Sequence, residues 1–140
     1  MNNRTIFQRD EFEFWTSMKS RWNDMDGLRH INHATYLSYM ETARLEYYEH
    51  LGYNVARWKA EVSTILAGMQ IDYIQQTSHP TVIEIGQSIT RVGTTSFDIK
   101  TAIFEKGLAT PMVQGIFVMV AFNYETNKPI PVPEIFRKTR

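Results

Sequence analysis

The sequence predicts an α+β fold, with one long helix packed against a large antiparallel sheet. Three observations carry this. A single stretch of 19 to 20 residues has helical periodicity. Four later stretches are rich in β-branched and aromatic residues. The connections between those four are short, which favours antiparallel pairing. The 140 residues, 43% of them hydrophobic, are enough for one domain with a core, so residues 1–140 read as a single domain.

The elements follow in order. Residues 12–22 alternate as Phe12, Phe14, Thr16, Met18, Ser20 and Trp22, the period of a strand. Residues 23–29 hold Gly27 and two aspartates and read as a turn. The helix follows, with Asn32 placed to cap its start and Gly52 its end. Between them Tyr36, Leu37, Met40, Ala43, Tyr47 and Leu51 recur at three- and four-residue spacing. Apolar and aromatic residues extend around much of this helix, which predicts wrapping by a curved sheet or a second subunit. Residues 54–61 read as a short helix or a loop. Strands are expected at 63–75, 82–92, 96–105 and 112–124, with breakers at 78–80, 93–94 and 106–111. The tail from Lys128 carries three prolines and reads as an irregular cover.

Composition removes several classes of function. Fifteen basic residues balance fifteen acidic ones, so no electrostatic case exists for nucleic acid or an anionic membrane. Without cysteine there is no disulfide framework, thiolate metal site or cysteine nucleophile. The polar N-terminus lacks the apolar run of a signal peptide, and no apolar stretch reaches 18 residues. A cytoplasmic protein without membrane insertion is expected.

Residues 24–33, DMDGLRHINH, concentrate the candidate chemistry. Asp24, Asp26, His30 and His33 are all possible metal ligands, yet the two histidines straddle a loop-to-helix junction and match no established spacing. A second reading is acyl transfer. Asp26 precedes a helix N-terminus, whose free N–H groups favour negative charge on a carbonyl oxygen. Asp26 would attack that carbonyl or deprotonate a water. The donor N–H would come from His33 or Ala34, and His30 would orient the acid or the substrate, or fix the loop. The third reading is a tight turn and helix cap with no chemistry, with Asp24 as a solvated turn residue. Spacing alone favours this third reading.

Residues 21–44, RWNDMDGLRHINHATYLSYMETAR, resemble the signature of the hotdog-fold acyl-CoA thioesterases. More narrowly they resemble the 4-hydroxybenzoyl-CoA thioesterase group and its bacterial long-chain acyl-CoA relatives. The matching positions are Asp26, His30, Asn32, Tyr36, Glu41 and Arg44. Residues 69–85 and 91–99 are similar to the family's later strands and the turn between them. The run after Asp26, Gly-Leu-Arg-His-Ile-Asn, is closer to the long-chain group. The resemblance implies a five-stranded antiparallel sheet wrapped around one central helix. It also implies hydrolysis of an acyl-CoA to acid and CoA, with Asp26 as nucleophile or general base and the N–H near His33 polarising the carbonyl. No cofactor is implied. Partners would be the acyl-CoA and further copies of the chain, as homodimer or homotetramer with sites between subunits. Acyl length, and CoA against carrier protein, stay open.

Asn32, Tyr36, Thr95 and Ser96 are the expected substrate-binding residues. Tyr36 would line an acyl pocket. Thr95 and Ser96, beside Thr94 after Gly93, would contact the CoA arm or simply suit a turn. Tyr39, Tyr47 and Tyr48 read as packing. Met69, Met112 and Met119 suit either an adaptable tunnel or the core. Arg91 would steer a phosphate or be a plain surface residue, and Asp72 would pair or touch substrate. An enoyl-thioester hydratase or dehydratase on the same fold, and a binder without turnover, are the alternatives. Release of free thiol separates them.

Overall fold

The computed structural model describes residues 5–53 and 62–137. Residues 54–61, expected as a short helix or loop, lie outside that range. The elements run β1 (Phe14–Lys19), α1 (His33–Leu51), β2 (Val62–Tyr73), β3 (Val82–Val92), β4 (Ser96–Glu105), β5 (Val113–Asn123), β6 (Lys128–Pro129) and α2 (Glu134–Arg137). All strand pairs are antiparallel, in the order β1-β3-β4-β5-β2, with β6 paired to β5. The curled sheet packs β1, β3 and β4 against α1. This is the expected α+β hotdog arrangement.

Both expected helix caps are present. The Asn32 side chain accepts from the Ala34 N–H, and Gly52 ends α1 in the left-handed region at φ 91°. The inner face of α1 buries Tyr36, Tyr39, Met40, Ala43, Tyr47 and Tyr48. They meet Ile83, Ile85, Ile89, Phe97, Ile99 and Ile103 from β3 and β4, and Phe117 and Met119 from β5. The helix is not fully wrapped within one chain. Ala34, Ser38, Glu41, Leu45 and Glu49 leave one face exposed.

Two expectations about the ends need correction. The first strand is shorter than residues 12–22. Phe12 leaves the strand to lie edge-on to Trp15 and Phe104, covering the outer face of the sheet. Trp22 sits 73% exposed in a 3-10 turn. The proline-rich tail is also more than a cover. Lys128–Pro129 adds a short strand, and Phe136 enters the core, stacked on Phe97 at 4.5 Å. Three prolines hid these elements because Pro denies backbone donors without preventing the side chains between them from packing.

Two glycines permit close approach. A Cβ on Gly86 would lie 2.6 Å from Cγ of Phe12, so this position lets Phe12 rest on the sheet. A Cβ on Gly115 would lie 2.5 Å from the Gln70 carbonyl oxygen in β2. Backbone cannot yield as a flexible side chain can. Gly115→Ala should therefore destabilise the fold by about 1–3 kcal/mol. Gly68→Ala, where nothing lies within 4 Å, should stay within about 0.5 kcal/mol. Urea unfolding of both variants checks the contrast, and equal midpoints would refute it.

Candidate active site

After β1 the chain makes a loop that returns to α1, and a buried carboxylate holds it there. Asp24 is 2% exposed, not solvated as the turn pattern suggested. Its Oδ2 accepts from the Arg21 N–H at 2.7 Å and the Tyr39 hydroxyl at 2.5 Å. Its Oδ1 accepts from the Arg21 guanidinium at 3.1 Å. Its backbone carbonyl takes the Asn32 N–H at 2.9 Å. Burial pushes the Asp24 carboxyl up, but the Tyr39 hydroxyl and the two Arg21 donors outweigh it, and the net shift is downward. No sequence pattern marks this residue, because its main donor stands 15 positions away on a helix.

Asp26 follows on a tight hairpin. Met25 and Ile31 bridge, the Asp26 N–H reaches the His30 carbonyl at 2.9 Å, and the Arg29 N–H reaches the Asp26 carbonyl at 3.1 Å. The Asp26 Oδ1 accepts from the Leu28 N–H at 2.8 Å, closing an Asx turn. Arg29 takes a left-handed φ of 64° to complete it. Asp26 itself is exposed and lines a cleft of about 540 Å³ with Trp22, Met25, Arg29, Ser78 and His79.

The opposite wall is the turn between β2 and β3. It is tied to the hairpin by the Ile31 N–H to the Thr77 carbonyl at 2.9 Å and the Ser78 hydroxyl to the Arg29 carbonyl at 2.6 Å. The Thr77 and Thr81 hydroxyls donate to Glu105 at 2.7 and 3.2 Å. Ser20 joins His79 Nδ1 at 2.6 Å and accepts from the Thr81 N–H at 2.9 Å. Sequence reasoning missed His79. Its one visible signal was a histidine inside a breaker, before proline.

The other expected residues fall in three places. At the helix start, the Ala34 N–H is taken by Asn32 Oδ1 at 2.8 Å. The His33 N–H has no acceptor among the described residues. Asn32 is thus occupied as a cap. The His33 carbonyl accepts from the Tyr73 hydroxyl at 2.9 Å. Tyr36 is 2% exposed, and burial raises its pKa, with the Thr77 main chain opposing. Among the described residues its hydroxyl has no partner within hydrogen-bond geometry. His33, Asn32 and Tyr36 stand close behind the hairpin but do not line the cleft. His30 meets Asp26 through its main chain, and no hydrogen bond joins its ring to the carboxylate among the described residues.

Thr95 and Ser96 do not meet Asp26 within one chain. They follow the far end of β3, whose near end pairs Val82 with Lys19 just before the loop. Eleven residues of strand put them roughly 30 Å away. Arg91, expected to steer a phosphate, is held by Ser96 Oγ and Asp98, both at 2.9 Å. Met112 and Met119 are in the core, while Met69 is 49% exposed on β2. Asp72 accepts from Gln114 at 3.4 Å. Among the described residues, no three His, Asp or Glu side chains are grouped to hold a metal. Nor is any helix there long and apolar enough to cross a membrane.

A curled sheet around one helix, with a polar loop before the helix start, defines a hotdog-fold protein. A model of the thioesterase-like superfamily matches residues 20–139, and the chain belongs to that superfamily of thioester hydrolases. Its sequence is 25% identical over 122 residues to the uncharacterised protein YsmA of Bacillus subtilis (strain 168), covering 87% of this chain and 81% of that one. The PA5185 protein of Pseudomonas aeruginosa strain PAO1 superposes with a TM-score of 0.87 at 26% identity, over 96% of this chain and 94% of that one. A predicted thioesterase from Bacillus stearothermophilus superposes with a TM-score of 0.77 at 29% identity, over 91% and 93%.

The Asp24 contacts make a pH-dependent prediction. Because its folded pKa lies below the ordinary 3.8, the stabilisation is present above 3.8 and lost as pH falls through the folded value. Tyr39→Phe removes a donor to the charged carboxylate, costing about 1.5–3 kcal/mol at neutral pH. Below the folded pKa the deficit should shrink. Urea melts of both proteins at pH 7 and in strong acid test this, and an equal deficit at both would contradict it.

Proposed function

We propose that the protein hydrolyses acyl-CoA thioesters, with Asp26 as the reacting carboxylate. The observation that carries this reading is an exposed Asp26 in a cleft wall, on a hairpin fixed by the buried Asp24. Among the described residues the His33 N–H at the adjacent helix start has no acceptor, so it is available to a thioester carbonyl. As general base, Asp26 takes a proton from water while the oxygen bonds to the acyl carbon. As nucleophile, its oxygen bonds to that carbon and water then cleaves the mixed anhydride. Both routes break the C–S bond and give a carboxylic acid and CoA. Asn32 contributes by fixing the helix start, His30 by closing the hairpin, and Tyr36, buried on α1 behind the hairpin, by lining the acyl pocket.

The working unit is a homodimer or homotetramer. The edge strand β2 exposes Ile65, Leu66, Met69 and Tyr73, and α1 leaves a face uncovered. A solvated apolar edge of this kind favours pairing. Thr95 and Ser96, roughly 30 Å from Asp26 in one chain, would contact the CoA arm of substrate bound at another copy's site.

Asp26→Asn should abolish thiol release from acyl-CoA, while its melting temperature stays near that of the wild type. Unchanged turnover would remove Asp26 from the chemistry. Light scattering during size exclusion should give a mass above that of one chain. Introducing Ile65→Lys and Met69→Lys together should move it toward the monomer. A wild type that already elutes as a monomer would refute the assembly.

A further inference from the structure

Thioester hydrolysis puts negative charge in two places. It forms first on the carbonyl oxygen, then on sulfur as the C–S bond breaks. The helix start can serve the oxygen, but the sulfur also gains from a fixed donor. Among the residues lining the cleft, the Ser78 hydroxyl is already given to the Arg29 carbonyl. Trp22 and Arg29 are exposed. His79 is half-buried and anchored.

The hydrogen bonds around Ser20 favour one tautomer of His79. Ser20 is buried, and its oxygen accepts the Thr81 N–H. Donating the hydroxyl proton to Nδ1 of His79, at 2.6 Å, satisfies it, whereas the reverse assignment leaves that proton without an acceptor among the described residues. In the neutral imidazole the ring proton therefore sits on Nε2, which has no partner among the described residues. The indole of Trp22 stands edge-on to the ring at 6.3 Å and 87°. The turn carrying His79 is bound to Glu105 and to the Asp26 hairpin, so the two walls keep a fixed spacing.

We infer that His79 is a second catalytic residue of this cleft, its Nε2–H hydrogen-bonding the sulfur of the departing thiolate. The inference rests on the Asp26 reading. The water proton goes to the Asp26 carboxylate, its oxygen bonds to carbon, and the C–S electron pair leaves on sulfur. His79 keeps its proton throughout. The thiolate is protonated afterwards, from Asp26 or solvent. Ser20 is a positioning residue, since it acts only through the ring.

The test compares two esters of one acid, octanoyl-CoA and S-phenyl thiooctanoate. An arenethiolate is the better leaving group and needs the donor less. In His79→Phe the ratio of kcat for the CoA ester to kcat for the phenyl ester should fall about 10- to 100-fold. His79→Gln, which retains an N–H, should recover much of that ratio, and Ser20→Ala should give a smaller fall. An equal loss with both esters, or no loss with either, overturns the inference. Because the ratio is internal to each preparation, a partly folded variant still reports it. Asp26→Asn should lose both esters alike. If the wild type releases thiol from neither, the hydrolase reading of the cleft fails instead.

Discussion

The geometry of the site depends on a single buried carboxylate. Asp24 accepts from Tyr39 on the second turn of α1 and returns its own carbonyl to Asn32 at the helix start. The loop before the helix is thereby fastened at both ends to the element it precedes. Charged acceptors make stronger hydrogen bonds than neutral ones, so one side chain can define a loop that has little apolar surface to bury. The position of Asp26 follows from this, two residues along the same chain.

The second wall is built by a different device. The turn before β3 has no core residue of its own between Thr77 and Thr81. It is held by hydroxyls, with Thr77 and Thr81 on Glu105 and Ser20 bridging Thr81 and His79. Two contacts then join this turn to the hairpin, so the cleft is a gap of set width between fixed loops. Prearranged polar groups cost no reorganisation during reaction, which is what acyl transfer requires of its surroundings.

The sheet explains which residues can cooperate. Long strands separate the two ends of the fold by tens of ångströms, so Asp26 and the Thr95–Ser96 turn belong to different regions of one chain. The edge strand β2 leaves Ile65, Leu66, Met69 and Tyr73 exposed, and α1 leaves one face uncovered within the chain. Arg44 is buried over the Phe117 ring at 5.1 Å, which ties the middle of α1 to β5.

Local patterns in the sequence determined much of this. The helix between Asn32 and Gly52 was legible because caps and 3.6-residue periodicity are properties of adjacent residues. The four later strands were legible for the same reason, through composition and breakers. Asp26 and the helix-start N–H were candidates because they share one short segment, although spacing alone favoured a plain turn and only the family resemblance raised them. What the tertiary structure alone decided involves partners far apart in the chain. Asp24 became an anchor only when Tyr39 closed over it. His79 became a cleft residue only when Ser20, 59 positions earlier, met its ring. Phe136 left a proline-rich tail for the core because Phe97 offered it a face. Hydrogen bonds and ring contacts of this range depend on how strands are brought together, and no local periodicity encodes that.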